Sequence, residues 1–448
     1  MDATDQVLNQ SDREDFQDRI SDLPRSVLTH ILSRLTTKDA VATSALSKTW
    51  KMKWTCIFNL DFNDTSLYSY RVINRERFVS FVEKVLHHCG NLRIHSFHLV
   101  CSKSYNACQV TRWIFTALRR GVKNFSLDYP SGNFLFPSCF LGSESLEEVT
   151  ISIPWTVEIY PITSFRNLKI LRLTRMKFEN MDYPHSTELF FSFPALHTFC
   201  IRRCTWMGIK LIRIEAPSLS IFEVSRCRYG KGDESCEIQI LEGAPNLSYV
   251  KWASKDFLEN FVLPSPSSVS KAVLDHFNVL EDLWVAGIGA VKLLLLVSNI
   301  TRLELSIDMV EALDRSGTIR YIPMLDQVIY LKLDSRYSGS TRALMSLLRK
   351  TPNLLFLDIQ SNIAWKNDDY ELIGTLPPCV MCRLKKIDLT YGFGAAIGFH
   401  LMRLLLQNGH VLQLMSVHLP KLSRCAKNQI MLKLIMAPRA SPYVFIQV

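Results

Sequence analysis

Apolar residues recur along this chain with two periods. In the first, Val27, Leu28, Ile31, Leu32 and Leu35 fall at i, i+1, i+4, i+5 and i+8, the spacing of one helical face. Leu23-Pro24 opens that helix, because a proline in the first turn gives up no hydrogen bond and presets φ. A second helix is expected over 38–44, capped by Thr36 or Thr37, with Val41 and Ala45 turned inward. Ser47 caps a third short turn that carries Trp50 and Trp54. Helices this short cannot bury both sides of the stripe. The surplus apolar surface of Leu23, Val27, Ile31 and Leu35 must meet the rest of the chain or a partner. Farther on, Phe78, Phe81, Val82, Val85 and Leu86 predict an amphipathic helix over 74–88, with Gly90 where a left-handed cap is expected.

The second period is longer. From residue 93 onward a Leu-x-x-Leu-x-Leu unit, with apolar substitutes, starts at Ile94, Val122, Leu146, Leu168, Leu196, Leu219, Leu247, Ile300, Val328, Leu354 and Leu384, with a weaker copy at Val269. The mean step of about 26 residues lies in the range of leucine-rich repeats. Four starts share a Pro-x-Leu lead-in (Pro194, Pro217, Pro245 and Pro352), which stops the preceding segment and forces an extended entry. The last two apolar residues of each unit alternate as one face of a short strand. One strand cannot bury that face alone, so stacked units predict a parallel sheet along a solenoid. Helices are expected between strands over 109–120 and 341–350, and a loop over 263–270. The fold class is therefore α/β: three N-terminal helices, then an irregular repeat solenoid with a parallel sheet.

The N-terminal pattern has a further sequence signature. Leu23-Pro24, Val27-Leu28 and Ile31 to Leu35 are followed by Leu46-Ser47-Lys48-Thr49-Trp50, Trp54 and Leu60-Asp61-Phe62. This resembles the F-box, and most of all its plant branch, with one departure at Ser26, where an acidic residue is common. The resemblance implies docking on the Skp-type adaptor of a cullin-based (SCF-type) ubiquitin ligase. It assigns that contact to Leu23, Pro24, Val27, Ile31, Leu35 and Trp50, and leaves Leu28, Leu32 and Trp54 as core. It also implies a domain order: a flexible acidic tail (1–17), the F-box (18–64), a linking amphipathic helix (65–90), the solenoid (91–390) and a cap or divergent FBD-like segment (391–448). Leucine-rich repeats often carry Asn or Cys three residues after the third leucine. Here only Cys204, Cys227 and Asn362 do, so an irregular arc with uneven convex loops is expected.

Charge and chemistry narrow the function. The chain carries net +10; residues 1–22 hold seven acids and two bases, so the body is +15. A basic body favours acidic partners, and a non-catalytic repeat protein that binds nucleic acid or an anionic ligand, with a vestigial F-box, is the alternative function. The Lys and Arg residues are scattered, without a long basic run, so nucleic acid is not the favoured partner. No apolar run reaches the ~18 residues of a membrane span; residues 284–297 come nearest, interrupted by Lys292 and glycines. The polar, acidic start fits no signal peptide, which points to nucleus or cytoplasm. Twelve cysteines then read as reduced core thiols. Cys379/Cys382 and Cys200/Cys204 do not complete four zinc ligands, so no metal or cofactor is expected. The glycines at 392, 394 and 398 follow a strand but miss the dinucleotide spacing. No nucleophile, base and oxyanion site assembles, so no enzyme is expected. Target recognition would fall on the strand positions between core leucines: Arg172, Arg202, Glu223, Lys251, Glu304, Lys332 and Asp358.

Overall fold

The computed structural model describes residues 23–66, 74–131, 140, 142–154, 156–158, 165–179, 188–229, 236–241, 244–253, 261–262, 269–275, 283–334, 339–360, 363–364, 376–390, 399–419 and 423–448. The acidic tail (1–17), Asn362, the glycine-rich stretch 392–398 and most of the loop at 263–270 lie outside them. The chain divides near residue 130 into two compact units.

The first unit begins with helix α1 (Arg25–Leu32), entered through Pro24, and helix α2 (Thr37–Ala42). The cap of α2 is Thr36, whose hydroxyl accepts from Asp39 N; Thr37 instead accepts from Asp61 N at 2.7 Å. Short 3-10 turns carry Trp50 and Trp54. A strand, Asn59–Asn63, pairs in parallel with Ser96–Val100, which pairs with Asn124–Asp128. The residues read as the exit of the helical segment are thus already the first strand. Ile57, Leu60 and Phe62 carry the same apolar spacing as the later units, and all three are buried.

Helix α3 (Arg75–His88) crosses between the first two strands of that sheet, capped by the Asn74 side chain, and the chain leaves it through Gly90 at φ +55°. Helix α4 (Ala107–Arg119) crosses between the second and third. Asp64 is fully buried, and its carboxylate accepts from Ser102 N, Lys103 N and the Tyr105 hydroxyl. A buried carboxylate needs such a set of donors. Burial first, and the Asp64 charge second, raise the Tyr105 phenol far above its usual range.

The second unit is built on a parallel sheet. Strands Glu148–Ser152, Ile170–Thr174, Thr198–Arg202, Ile221–Ser225, Tyr249–Ala253, Lys271–Leu274, Arg302–Ser306, Tyr330–Asp334, Phe356–Gln360 and Lys386–Thr390 pair in sequence order. Every repeat start read from the sequence, the weak copy at Val269 included, precedes a strand by two residues. Two further strands, Leu414–His418 and Phe445–Gln447, continue the sheet beyond residue 390. The stretch expected to be a cap or FBD-like segment therefore adds strands. Leu412, Met415 and Val417 carry the repeat spacing with methionine at its middle apolar position.

The return path changes along this unit. Between residues 156 and 262 it consists of strands, in two more parallel sheets: 156–158, 177–179, 205–207 and 228–229, then 188–192, 211–215, 237–240 and 261–262. From residue 283 onward the described residues return mainly by helices, Leu283–Leu296, Ile307–Arg315, Thr341–Leu348, Pro378–Cys382, Phe399–Asn408 and Arg424–Ile435, beside one short strand pair, Gly339–Ser340 with Ile363–Ala364. The strand-returning steps from Leu168 to Val269 run 22–28 residues, while the later ones run 26–31. Step length alone does not separate the two, since the 28-residue steps after Leu168 and Leu219 return by strands and the 26-residue step after Val328 by a helix. Return strands match the ~4.8 Å spacing of the main sheet, whereas packed helices need 8–10 Å.

Two side-chain ladders tie successive repeats. Ser220, Ser248, Ser270 and Thr301 each follow the first apolar residue of a unit, and each hydroxyl donates to the carbonyl of the equivalent residue one repeat earlier, at 3.0–3.2 Å. The Cys204 thiol donates to Leu173 O and the Cys227 thiol to Ile201 O. The cysteine positions read from the sequence bond strand backbone rather than loop backbone, while the longer ladder is made of hydroxyls.

Candidate functional site: two interaction surfaces

The first surface is the outer face of the N-terminal helices. Leu28, Leu32 and Trp54 are buried, as the helical spacing requires, and leave Val27 and Ile31 on the opposite side of α1. Val27 is 42% exposed, Ile31 44% and Leu35 38%. Pro24 is exposed and Leu23 half-buried. Trp50 differs from the rest of its set: at 5% exposure it is core, with Lys53 Nζ 5.0 Å from its ring, and its side chain offers no docking surface. Leu46, 69% exposed, and Met52 extend the apolar surface of this segment and were missed by reading the helical stripe alone. An exposed leucine in the short turns between helices leaves no periodic signal.

The second surface is the outward row of the repeat sheet. Arg172, Glu223, Lys251, Glu304, Lys332 and Asp358 share one cross-strand register, together with Cys200, Val273, Asp388 and Ser416. Arg202 is out of that row. In its strand the position between the last two apolar residues is Cys200, and Arg202 lies one pleat on, opposite Thr174 and Ser225.

Arg202 nevertheless joins the row chemically. Its guanidinium donates to both Glu223 oxygens, at 3.1 and 2.8 Å, and Lys251 Nζ lies 3.2 Å from the same carboxylate. Burial alone would push the Glu223 carboxyl up; the hydrogen bonds from Arg202 and the charges of Lys251 and Arg202 outweigh it and hold it below the usual range. Glu304 pairs with Lys271 at 2.7 Å, and Asp358 accepts from the Tyr330 hydroxyl at 3.1 Å. Acids and bases interleave along the row from Arg172 to Asp358, and Asp388 follows Asp358, so it forms no basic stripe.

At the C-terminal ends of these strands the surface is concave. A pocket of about 820 Å³ spans from Thr174 to Asp334. Beside it runs an unusual backbone feature, two of whose three residues, Arg203 and Arg226, line the pocket: Arg175, Arg203 and Arg226, the second residues after the third apolar position of three successive repeats, all have φ between +53° and +63°. Each of their N–H groups donates to the end of the next strand, at Arg202 O, Ser225 O and Ala253 O. The left-handed region disfavours such side chains, and no sequence pattern announced it.

The cysteines offer no activated thiol in the core. Burial pushes Cys89 and Cys379 up to about 11, and raises Cys200 and Cys204 as well. A protonated thiol is a poor nucleophile and a poor metal ligand.

Comparison with known proteins bears on the first surface directly: residues 20–56 match the F-box domain. Those residues carry an F-box domain. Over most of its length it is similar to an F-box/FBD/LRR-repeat protein of Arabidopsis thaliana, at 28% identity over 96% of this chain and 94% of the relative. An FBD-associated F-box protein of the same plant is 26% identical over 95% of this chain and 93% of the relative. An F-box/LRR-repeat protein, also of Arabidopsis thaliana, is 26% identical over 78% of this chain and 74% of the relative. The F-box with its leucine-rich repeats supports a substrate-adaptor role in general. Among the described residues, no helix is long and apolar enough to cross a membrane.

Proposed function

We propose that this F-box protein is the target-holding, non-catalytic subunit of an SCF-type ubiquitin ligase, docking on a Skp-type adaptor through Leu23, Pro24, Val27, Ile31 and Leu35. The observation that carries the reading is the outward apolar stripe of α1 within the F-box match. Val27 and Ile31 stay more than two-fifths exposed while Leu28 and Leu32, their helical neighbours, are buried. A partner that covers the stripe removes that apolar surface from water. The repeats then hold a target protein near the ligase, which raises its effective concentration at the transfer step. The acids interleaved along the outward row disfavour the nucleic-acid alternative. Place of action follows from the reading as nucleus or cytoplasm, where SCF-type ligases work.

The test is pull-down of a Skp-type adaptor by the full chain and by the double variant Val27→Asp/Ile31→Asp, with circular dichroism on both. The proposal expects capture by the full chain, loss of at least tenfold in the variant, and unchanged spectra. Equal capture by both sinks the docking face. The strand Asn59–Asn63 belongs to the sheet of the first unit, so point variants test this face more cleanly than a cut at residue 64.

A further inference from the structure

The pocket at the strand ends is divided by charge. Its first half is lined by Arg202, Arg203, Arg226 and Lys251 around Glu223, formally net +3. Its second half is lined by Asp275, Glu304, Asp308 and Asp334, formally −4. The step from one sign to the other falls between two neighbouring strands, Tyr249–Ala253 and Lys271–Leu274. Of these carboxylates, Glu223 is matched by Arg202 and Lys251, and Glu304 by Lys271. At the rim, Arg203, Arg226 and Asp334 are exposed to solvent. Burial first, and the charges of Asp308 and Asp334 after it, raise the Asp275 carboxyl against a hydrogen bond with Ser306.

We propose that this pocket binds a peptide segment of mixed charge, with an acidic side chain seated on the Arg203/Arg226 side and a basic one on the Asp275/Asp334 side. The inference rests on the reading that the repeats hold a target protein, and it names the chemistry of that target's recognised segment.

Geometry sets the spacing. From the strand before Arg226 to the strand before Asp275 is two steps of the sheet, about 10 Å at ~4.8 Å per strand; from the Arg203 strand to the Asp334 strand is five, about 24 Å. An extended peptide advances ~3.3 Å per residue, so opposite charges about three to seven positions apart reach both halves. A free amino acid, whose two charges lie only a few ångströms apart, does not. A nucleic acid meets the basic half but is repelled by the acidic one. The left-handed arginines also act as a fixed frame. Their N–H groups are bonded into the ends of the neighbouring strands, so the rim is held by the sheet.

The experiment is an array of nine-residue synthetic peptides probed with the labelled full-length chain. Each peptide carries one glutamate and one lysine at separations of one to eight, in both orders, beside single-charge and like-charge controls. Retention is expected to peak for opposite charges three to seven apart, and for one order over the other. Arg203→Asp, which keeps a residue tolerant of positive φ, and Asp334→Lys should each weaken the best peptide about three- to tenfold, with the folding transition unmoved. Retention that follows net charge alone, ignores spacing, or is absent for every peptide overturns the proposal. Capture of a Skp-type adaptor is measured on the same preparation. Adaptor capture without the peptide pattern discards this inference and leaves the adaptor reading standing; the peptide pattern without adaptor capture does the reverse.

Discussion

The F-box helices and the repeat sheet spend the same residue types in opposite ways. In the repeats, leucine, isoleucine and phenylalanine point inward, and the outward row is charged. In α1 the helix is too short and its domain too small to bury every apolar residue it carries, so Val27 and Ile31 face out while Leu28 and Leu32 face in. The outward charges of the repeats find one another: Arg202, Glu223 and Lys251 form one cluster, Lys271 and Glu304 another. The outward apolar residues of α1 have no such remedy within their own helix. An apolar stripe left open asks for a permanent partner. A self-matched charged row asks for little, and selectivity is left to the strand ends, where the charges separate by sign.

The largest expected effect sets the two regions directly against each other. Phe199 is fully buried, with the rings of Phe191, Phe193 and Phe222 at 5.7, 6.1 and 6.1 Å. Phe199→Ala should cost about 3–5 kcal/mol of stability through the cavity it leaves. Ile31→Ala, a truncation of an apolar residue on the outward stripe, should stay within about 0.5 kcal/mol. Urea unfolding of both variants decides; comparable losses would mean that the stripe is packed by the chain itself.

Glu223→Gln tests the self-matched row. The carboxylate is almost buried while Arg202 and Lys251 are partly exposed to solvent, so the loss should be about 1–2 kcal/mol, below that of a fully buried pair. Because the folded-state pKa is held below its unfolded value, the stabilisation is present above the unfolded carboxyl value, ~4.3, and fades as pH falls through the folded one. The gap between wild type and variant in thermal unfolding should therefore be widest near neutral pH and close in acid. A gap that widens on acidification would contradict the pairing.

The smallest effect concerns the rim. Arg203→Gly removes the side chain from a left-handed residue and should leave stability unchanged or raise it by up to about 1 kcal/mol, whereas Arg203→Val should lower it by about 1–2 kcal/mol. Differential scanning calorimetry of the pair sharpens the difference between rim and core. Equal melting points would mean that the backbone there relaxes.

The contrast also explains what could be read from the chain. Strand positions follow from a period of two and a repeat start, so all the starts between Ile94 and Leu384 lead into strands. The strand at Leu414–His418 was overlooked because Leu412, Met415 and Val417 hold the spacing with a weaker residue at its centre. The strand Asn59–Asn63 was hidden by the F-box signature that runs into it. The buried and outward sides of α1 were legible from its 3.6 period. Trp50 was misplaced because a tryptophan in a short turn has no periodicity to say which way it points. The pocket could not be read at all. It depends on which strands stand beside each other and on two arginines in left-handed backbone, and neither is written in a hydrophobic pattern.

The central claim is that the apolar stripe, and not the charged row, is the adaptor-facing surface. Hydrogen–deuterium exchange of the full chain, with and without a saturating Skp-type adaptor, addresses it in one measurement. Slowed exchange confined to residues 23–35 and the turns through 46–52, with the repeat strands unchanged, is the predicted result. Slowed exchange along the strands between 170 and 360, with the helices unaffected, would contradict it.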